Sequence, residues 1–142
     1  VEKLSEYRLQ RRVQFYETDA AGIVHFSCYF RYMEEAEHAF WRAAGLSIAP
    51  LESEYGWPRV AVSCDYRSPL RFEDEFEVWI RIVAMSSKSI RYACVMALGD
   101  VVVARLTMTT VCVSKDPAGS FRAVSLPPVM HERFQVSPDV IA

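Results

Sequence analysis

An α+β fold, one long helix on the concave face of a curled antiparallel sheet, is predicted by three observations. A single apolar stripe with helical spacing occurs early, between Tyr29 and Ala44. Several stretches with period-2 alternation surround it, enough for a sheet of five or six strands. The chain has 142 residues, 51% apolar and 24% charged, which suits one core and leaves no room for two ordinary domains. A single domain over residues 1–142 is therefore expected.

The elements follow in chain order. Tyr7 to Phe15 reads as a first strand. In the helix, Tyr29, Tyr32, Met33, Ala36, Phe40, Ala43 and Ala44 recur at steps that build one face. Arg31, Glu34, Glu35, Glu37 and Arg42 are assigned to the remaining circumference. Ser27 is the expected N-cap, and Gly45 supplies a residue that tolerates a left-handed stop. Arg59 to Ser68 alternates, with Val60, Val62, Cys64 and Tyr66 on one side. Phe76, Val78, Ile80 and Ile82 alternate with Glu75, Glu77, Trp79 and Arg81. Ile90 to Leu98 and Val101 to Val113 continue the pattern, joined by a tight hairpin at Gly99-Asp100. Pro127 and Pro128 introduce a short closing helix over about Val129 to Phe134. Trp79, Val95 and Val103 are expected on the sheet face away from the helix, more apolar surface than water usually covers, so oligomerisation is expected.

Composition excludes several classes of function. A formal net charge of −2 provides no broad basic field, so nucleic acid is not the expected partner. No run approaches the roughly 20 apolar residues that span a bilayer, and no membrane partner is expected. The opening VEKLSEYRLQRR lacks the apolar run of a secretory leader, and a cytoplasmic location is expected. Cys28, Cys64, Cys94 and Cys112 form no C-x-x-C pair and read as reduced thiols. His25, His38 and His131 show no metal-ligand spacing, so neither metal nor cofactor is expected.

The segment Tyr16 to Phe26 is the most informative. An acid, two small residues and a glycine make a turn that runs into the start of the long helix. Free N–H groups and the positive end of the helix dipole favour negative charge there. From spacing alone, Asp19 is either a turn or cap residue or a functional carboxylate.

The pattern Y-x-T-D-x-x-G-x-V, followed by Y-x-x-Y-x-E-x-A, resembles the signature of 4-hydroxybenzoyl-CoA thioesterases and their relatives. It is carried by Tyr16, Thr18, Asp19, Gly22, Val24, Tyr29, Tyr32, Glu34 and Ala36. Weaker likeness extends through Asp65-Tyr66, Pro69, Phe72-Glu73-Asp74 and Lys88-Ser89-Ile90. The resemblance implies a hotdog fold, with the long helix wrapped by the sheet. It implies hydrolysis of an acyl-CoA thioester in a homodimer or homotetramer, with sites at the subunit interface. It makes Asp19 the catalytic carboxylate, nucleophile or general base, and the Phe26 amide the donor that polarises the thioester carbonyl.

The chain departs from many relatives at two places: Ile23 follows Gly22, and Glu37 stands where an arginine is common. Gly-Ile-Val is closer to the aromatic-acyl branch, so an aromatic or bulky acyl group is expected. His25 is the one histidine near the motif and joins the catalytic candidates. Gly22, Tyr29, Tyr32, Lys88 and Ser89 are the substrate-binding candidates, Lys88 with Arg91 as a phosphate contact. Glu35 is the reserve acid on the helix. Coenzyme A and acyl-carrier protein both remain open as the thiol carrier. Two alternatives stand beside hydrolysis: a non-catalytic acyl-CoA-binding module, with Asp19 only a turn residue, and a hotdog hydratase or dehydratase.

Overall fold

The computed structural model describes residues 2–115 and 119–138. The elements are β1 (Glu6–Arg12), a 3-10 turn (Phe15–Glu17), α1 (Cys28–Ala43), β2 (Tyr55–Gly56), β3 (Arg59–Tyr66), β4 (Glu75–Met85), β5 (Ser89–Leu98), β6 (Val101–Val111), β7 (Val113–Lys115), β8 (Phe121–Ala123) and α2 (Pro128–Arg133). Five strands form one antiparallel sheet in the order β1-β4-β5-β6-β3. A second small sheet runs β2-β7-β8. The main sheet curves around α1, the hotdog arrangement that the sequence resemblance implies.

Tyr29, Tyr32, Met33, Ala36, Phe40 and Trp41 form the buried face of α1. They pack onto Val78, Ile80, Ile82, Ile90, Tyr92 and Met96 of the central strands, all fully enclosed. Each large side chain so buried contributes about 1.5–3 kcal/mol. Gly45 ends the helix at φ +80°. The Arg133 Nη1 of α2 donates to the Ala44 carbonyl at 2.6 Å and seals that end. Gly99 takes φ +59° in the β5–β6 hairpin, where a left-handed residue is required.

Four expectations need correction. Glu37 is not on the solvated circumference but completely buried. It stands four residues after Met33 and four before Trp41, so the helical repeat turns it inward. The carboxylate is matched there by Arg59 of β3, whose Nη2 pairs with Glu37 Oε1 and whose Nη1 lies 3.3 Å from Oε2. Val103 is also in the core rather than on the outer face, because a bulge between Met96 and Ala97 shifts the register of β5 on β6. Ser27 does occupy the N-cap position, but its hydroxyl bonds the His25 ring at 2.8 Å instead of a helix N–H. The first strand ends at Arg12, and Phe15 begins the 3-10 turn.

β3 is the edge of the main sheet. Its apolar side chains are largely uncovered, with Val60 58% and Val62 51% exposed. The alternation in this strand therefore does not mark a face covered within the chain.

Candidate active site

Asp19 sits in a small hairpin between the 3-10 turn and α1. Thr18 and Val24 form an antiparallel bridge, and the Asp19 N–H donates to the Ile23 carbonyl at 2.8 Å. Gly22 closes the turn at φ +81°, where a side chain would be strained, and its N–H reaches the Asp19 carbonyl at 3.0 Å. The hairpin is stitched to the β3–β4 connection by the Val24 N–H on the Leu70 carbonyl, 2.8 Å, and by an Ile23–Arg71 bridge. Within it, Asp19 Oδ1 accepts from the Ala21 N–H at 2.8 Å and more weakly from the Ile23 N–H at 3.4 Å. Oδ2 accepts no hydrogen bond from any described residue. The carboxylate is thus held by one oxygen and has the other available.

Asp19 and Phe26 line one cleft of about 430 Å³, with walls that include Ile23, Tyr29, Tyr66 and Pro69. Phe26 stands two residues before the first residue of α1. The neighbouring Ser27 and Cys28 N–H groups are turned to His25, onto Nδ1 at 3.3 Å and the carbonyl at 2.9 Å. The Phe26 N–H has no hydrogen-bond partner among the described residues. It is an open donor at the positive end of a helix about 24 Å long. The Tyr66 hydroxyl donates to the Phe26 carbonyl at 2.8 Å and so fixes the plane of the adjoining peptide. Partial burial, helped by Cys64, pushes that phenol up to about 12, which keeps it a donor at neutral pH. Tyr29 packs edge-on against the Tyr66 ring at 5.0 Å.

The other candidates are placed elsewhere. His25 is exposed and lines a neighbouring depression of about 330 Å³ with Tyr16, Thr18 and Arg31. Its ring leans on Phe26 with centroids 4.5 Å apart. Tyr32 is fully buried, with its hydroxyl on Glu17 Oε1 at 3.0 Å, and does not line the Asp19 cleft. Lys88 and Ser89 lie in the β4–β5 hairpin, where the Ser86 hydroxyl accepts both of their N–H groups, and neither lines the cleft. Glu35 is engaged by Arg11 Nε at 2.7 Å. Among the described residues no three of His, Cys, Asp and Glu converge on a point that could hold a metal ion.

Two features went unassigned in the sequence. Tyr66 and Arg67, at the end of β3, form part of the cleft; the signal was Asp65-Tyr66 within the weaker part of the family likeness. The second is Glu17, buried two residues before Asp19. Its carboxylate accepts from Arg11 Nη1 at 3.0 Å and Nη2 at 2.5 Å, the Gln14 N–H at 2.8 Å and the Tyr32 hydroxyl. Burial acts to raise this carboxyl, but the bonds from Arg11, Gln14 and Tyr32 outweigh it and hold the group below its ordinary value.

The chain is similar in sequence and fold to several known proteins. A provisionally named esterase of Aquifex aeolicus (strain VF5) is 40% identical over 98 residues, covering 68% of this chain and 76% of its own. A 1,4-dihydroxy-2-naphthoyl-CoA hydrolase of Synechococcus elongatus is 30% identical over 91 residues, covering 62% of this chain and 67% of its own. Among solved structures, a hypothetical protein from Aquifex aeolicus superposes with TM-score 0.82 at 33% identity, over 89% of this chain and 97% of its own. The structure of a gentisyl-coenzyme A thioesterase superposes with TM-score 0.79 at 26% identity, over 87% and 98%. No helix of the described residues is long and apolar enough to cross a membrane. Residues 13–134 match the family described as the Thioesterase-like superfamily, a span that includes the Asp19 hairpin, α1 and every strand of the curved sheet except β1, and the chain belongs to that family.

Proposed function

We propose that the protein is an acyl-CoA thioesterase that uses Asp19 as its carboxylate and the Phe26 N–H as oxyanion donor. The observation that carries this reading is the meeting, in one cleft, of a carboxylate with a free oxygen and a backbone N–H without a partner. Thioester hydrolysis needs an oxygen nucleophile at the carbonyl carbon and a donor for the negative charge that develops on the carbonyl oxygen. A preorganised N–H at a helix opening supplies the second requirement, and such a donor is worth about 2.7–4 kcal/mol in barrier. Collapse of the tetrahedral adduct breaks the C–S bond and expels coenzyme A as its thiolate, which takes a proton from solvent or, where Asp19 has served as base, from the Asp19 carboxyl. Asp19 acts either by attacking the carbon, giving a mixed anhydride that water cleaves, or by removing a proton from the attacking water.

The cleft walls favour an aromatic acyl group. Tyr29, Tyr66 and Phe26 offer ring faces and edges, and Ile23 and Pro69 complete an apolar surround. Two relatives bear names with aromatic acyl groups, dihydroxynaphthoyl and gentisyl. In a thiol-release assay over a panel of acyl-CoA substrates, aryl-CoA thioesters are expected to exceed short aliphatic ones at least tenfold in kcat/KM. That ratio corresponds to about 1.4 kcal/mol of transition-state discrimination. Release no faster than the uncatalysed rate for every substrate would leave a binding module as the better reading.

We further propose a homodimer built across β3. The strand presents an unpaired edge with exposed Val60 and Val62, a surface that soluble proteins ordinarily cover. Tyr66, the last residue of the same strand, and the adjoining Arg67 line the cleft, so a partner on this edge completes the site's surroundings. Light scattering after size exclusion is expected to give at least twice the 16.3 kDa chain mass at micromolar concentration. A monomer under those conditions refutes the assembly.

A further inference from the structure

Glu17 gathers more hydrogen bonds than closing a surface turn requires. Its carboxylate reaches β1 through Arg11, the 3-10 turn through Gln14 and helix α1 through Tyr32. Its own backbone carbonyl accepts the His25 N–H at 2.9 Å, and the Cys28 thiol lies 3.6 Å from the same oxygen. One residue therefore anchors the hairpin at its entry, two positions before Asp19, and at its exit, one position before Phe26. Arg11 is itself locked: it pairs with Glu35 on its other side, and its guanidinium lies over the Tyr32 ring at 4.9 Å. The hairpin is also stitched to the β3–β4 connection at Val24 and Ile23, but its entry and exit both meet at this one residue, the entry through the buried carboxylate and the exit through the backbone carbonyl.

Resting on the thioesterase reading above, we propose that Glu17 is a positioning residue for the reaction, whose buried carboxylate fixes where Asp19 stands by tying the entry of its hairpin to β1 and α1 while its backbone carbonyl holds the exit. Displacement of a reacting group by about 1 Å can cost 100-fold in rate. The anchor therefore acts on turnover and leaves the walls that bind the acyl group in place.

The test is a kinetic comparison of Glu17→Gln, Tyr32→Phe and Asp19→Asn, singly and with Glu17→Gln combined with Asp19→Asn. Glutamine keeps an acceptor for the Gln14 N–H and the Tyr32 hydroxyl but cannot accept both Arg11 nitrogens. Glu17→Gln is expected to lower kcat about tenfold with KM changed less than about twofold, the signature of a group that acts only in the transition state. Tyr32→Phe, which removes one bond, is expected to lower kcat about threefold. In the Asp19→Asn background, Glu17→Gln is expected to lower the residual rate by less than about twofold, because residues that act as a unit are not additive.

Wild-type kcat in Glu17→Gln, beside an impaired Asp19→Asn, overturns the positioning role and leaves the thioesterase reading intact. A full tenfold loss persisting in the Asp19→Asn background overturns it equally, since Glu17 would then act apart from Asp19. Unimpaired turnover in Asp19→Asn defeats the underlying reading instead. If Glu17→Gln does not fold, Tyr32→Phe carries the test, and wild-type kcat in that variant overturns the proposal.

Discussion

Asp19→Asn is expected to lower kcat at least about 100-fold on the best aryl-CoA substrate, about 2.7 kcal/mol of lost transition-state stabilisation. Asparagine is nearly isosteric, and its carbonyl oxygen can still accept from the Ala21 and Ile23 N–H groups that Oδ1 now holds. The hairpin therefore stays closed while the attacking or proton-accepting oxygen is lost. Binding of a non-hydrolysable thioether analogue, measured by calorimetry, is expected to remain within about threefold of wild type, because the aromatic walls are untouched. Asp19→Ala removes the hairpin bonds as well and is expected to be at least as impaired. Wild-type turnover in both variants would remove Asp19 from the chemistry.

The largest expected effect on stability lies elsewhere, at Arg59. This side chain pairs with Glu37, donates to Glu34 at 3.2 Å, to the Trp57 carbonyl at 3.2 Å and to Thr110 Oγ1 at 3.4 Å. The Glu37 carboxylate is fully buried, and Trp41 Nε1 and Tyr92 close the polar pocket beside it with a 3.0 Å bond. Removing one partner of such a pair leaves an uncompensated buried charge and costs about 3–5 kcal/mol. Arg59→Met is expected to lower the free energy of unfolding by that amount in a urea titration. The double change Arg59→Met with Glu37→Leu is expected to recover most of it, since no charge remains to be desolvated.

Burial pushes the Glu37 carboxyl up even with Arg59 present, while Arg59, Tyr92 and His38 act to lower it. A carboxyl raised in the folded state favours folding below its unfolded value, about 4.3. That contribution is lost as pH rises through the folded value. Without Arg59 the opposing pull is weaker, so Arg59→Met is expected to lose less stability at pH 5 than at pH 7. A single variant within 1 kcal/mol of wild type, flat in pH, would show the pair to be worth little, as exposed pairs are.

Both expectations rest on features that differed in how visible they were in the sequence. The Asp19 hairpin was legible because its chemistry is local: an acid, small residues and a glycine within nine positions of a helix start. The stripe from Tyr29 to Phe40 was legible because burial in a helix repeats at 3.6 residues. Glu37 belonged to the same repeat, between Met33 and Trp41, but a charge is assigned to solvent until its counter-ion is known. That counter-ion, Arg59, comes from a strand 22 residues later, and no local pattern pairs them. Val103 was misplaced for a related reason: counting by twos passes straight through a bulge that only the partner strand defines. Tyr32 carried the helical spacing of a core residue, and it is fully buried; that its hydroxyl serves Glu17 depends on a turn 15 residues earlier. What stayed hidden was long-range pairing of charge with charge and strand with strand.

The latch at the end of α1 has a consequence for how the chain is made. Arg133 satisfies the Ala44 carbonyl across 89 positions of sequence, and its own carbonyl receives the Leu4 N–H at 2.8 Å. Gln135 returns a bond to the Leu4 carbonyl at 3.0 Å. A nascent chain emerging from the ribosome can therefore coil α1 and pair β1 with β4 before residues 133–135 are synthesised, but the bonds at Leu4 and at the Ala44 carbonyl form only afterwards. A polypeptide stopped before Arg133 would lack the donor on the Ala44 carbonyl and both bonds at Leu4, leaving the C-terminal end of α1 and the approach to β1 unlatched.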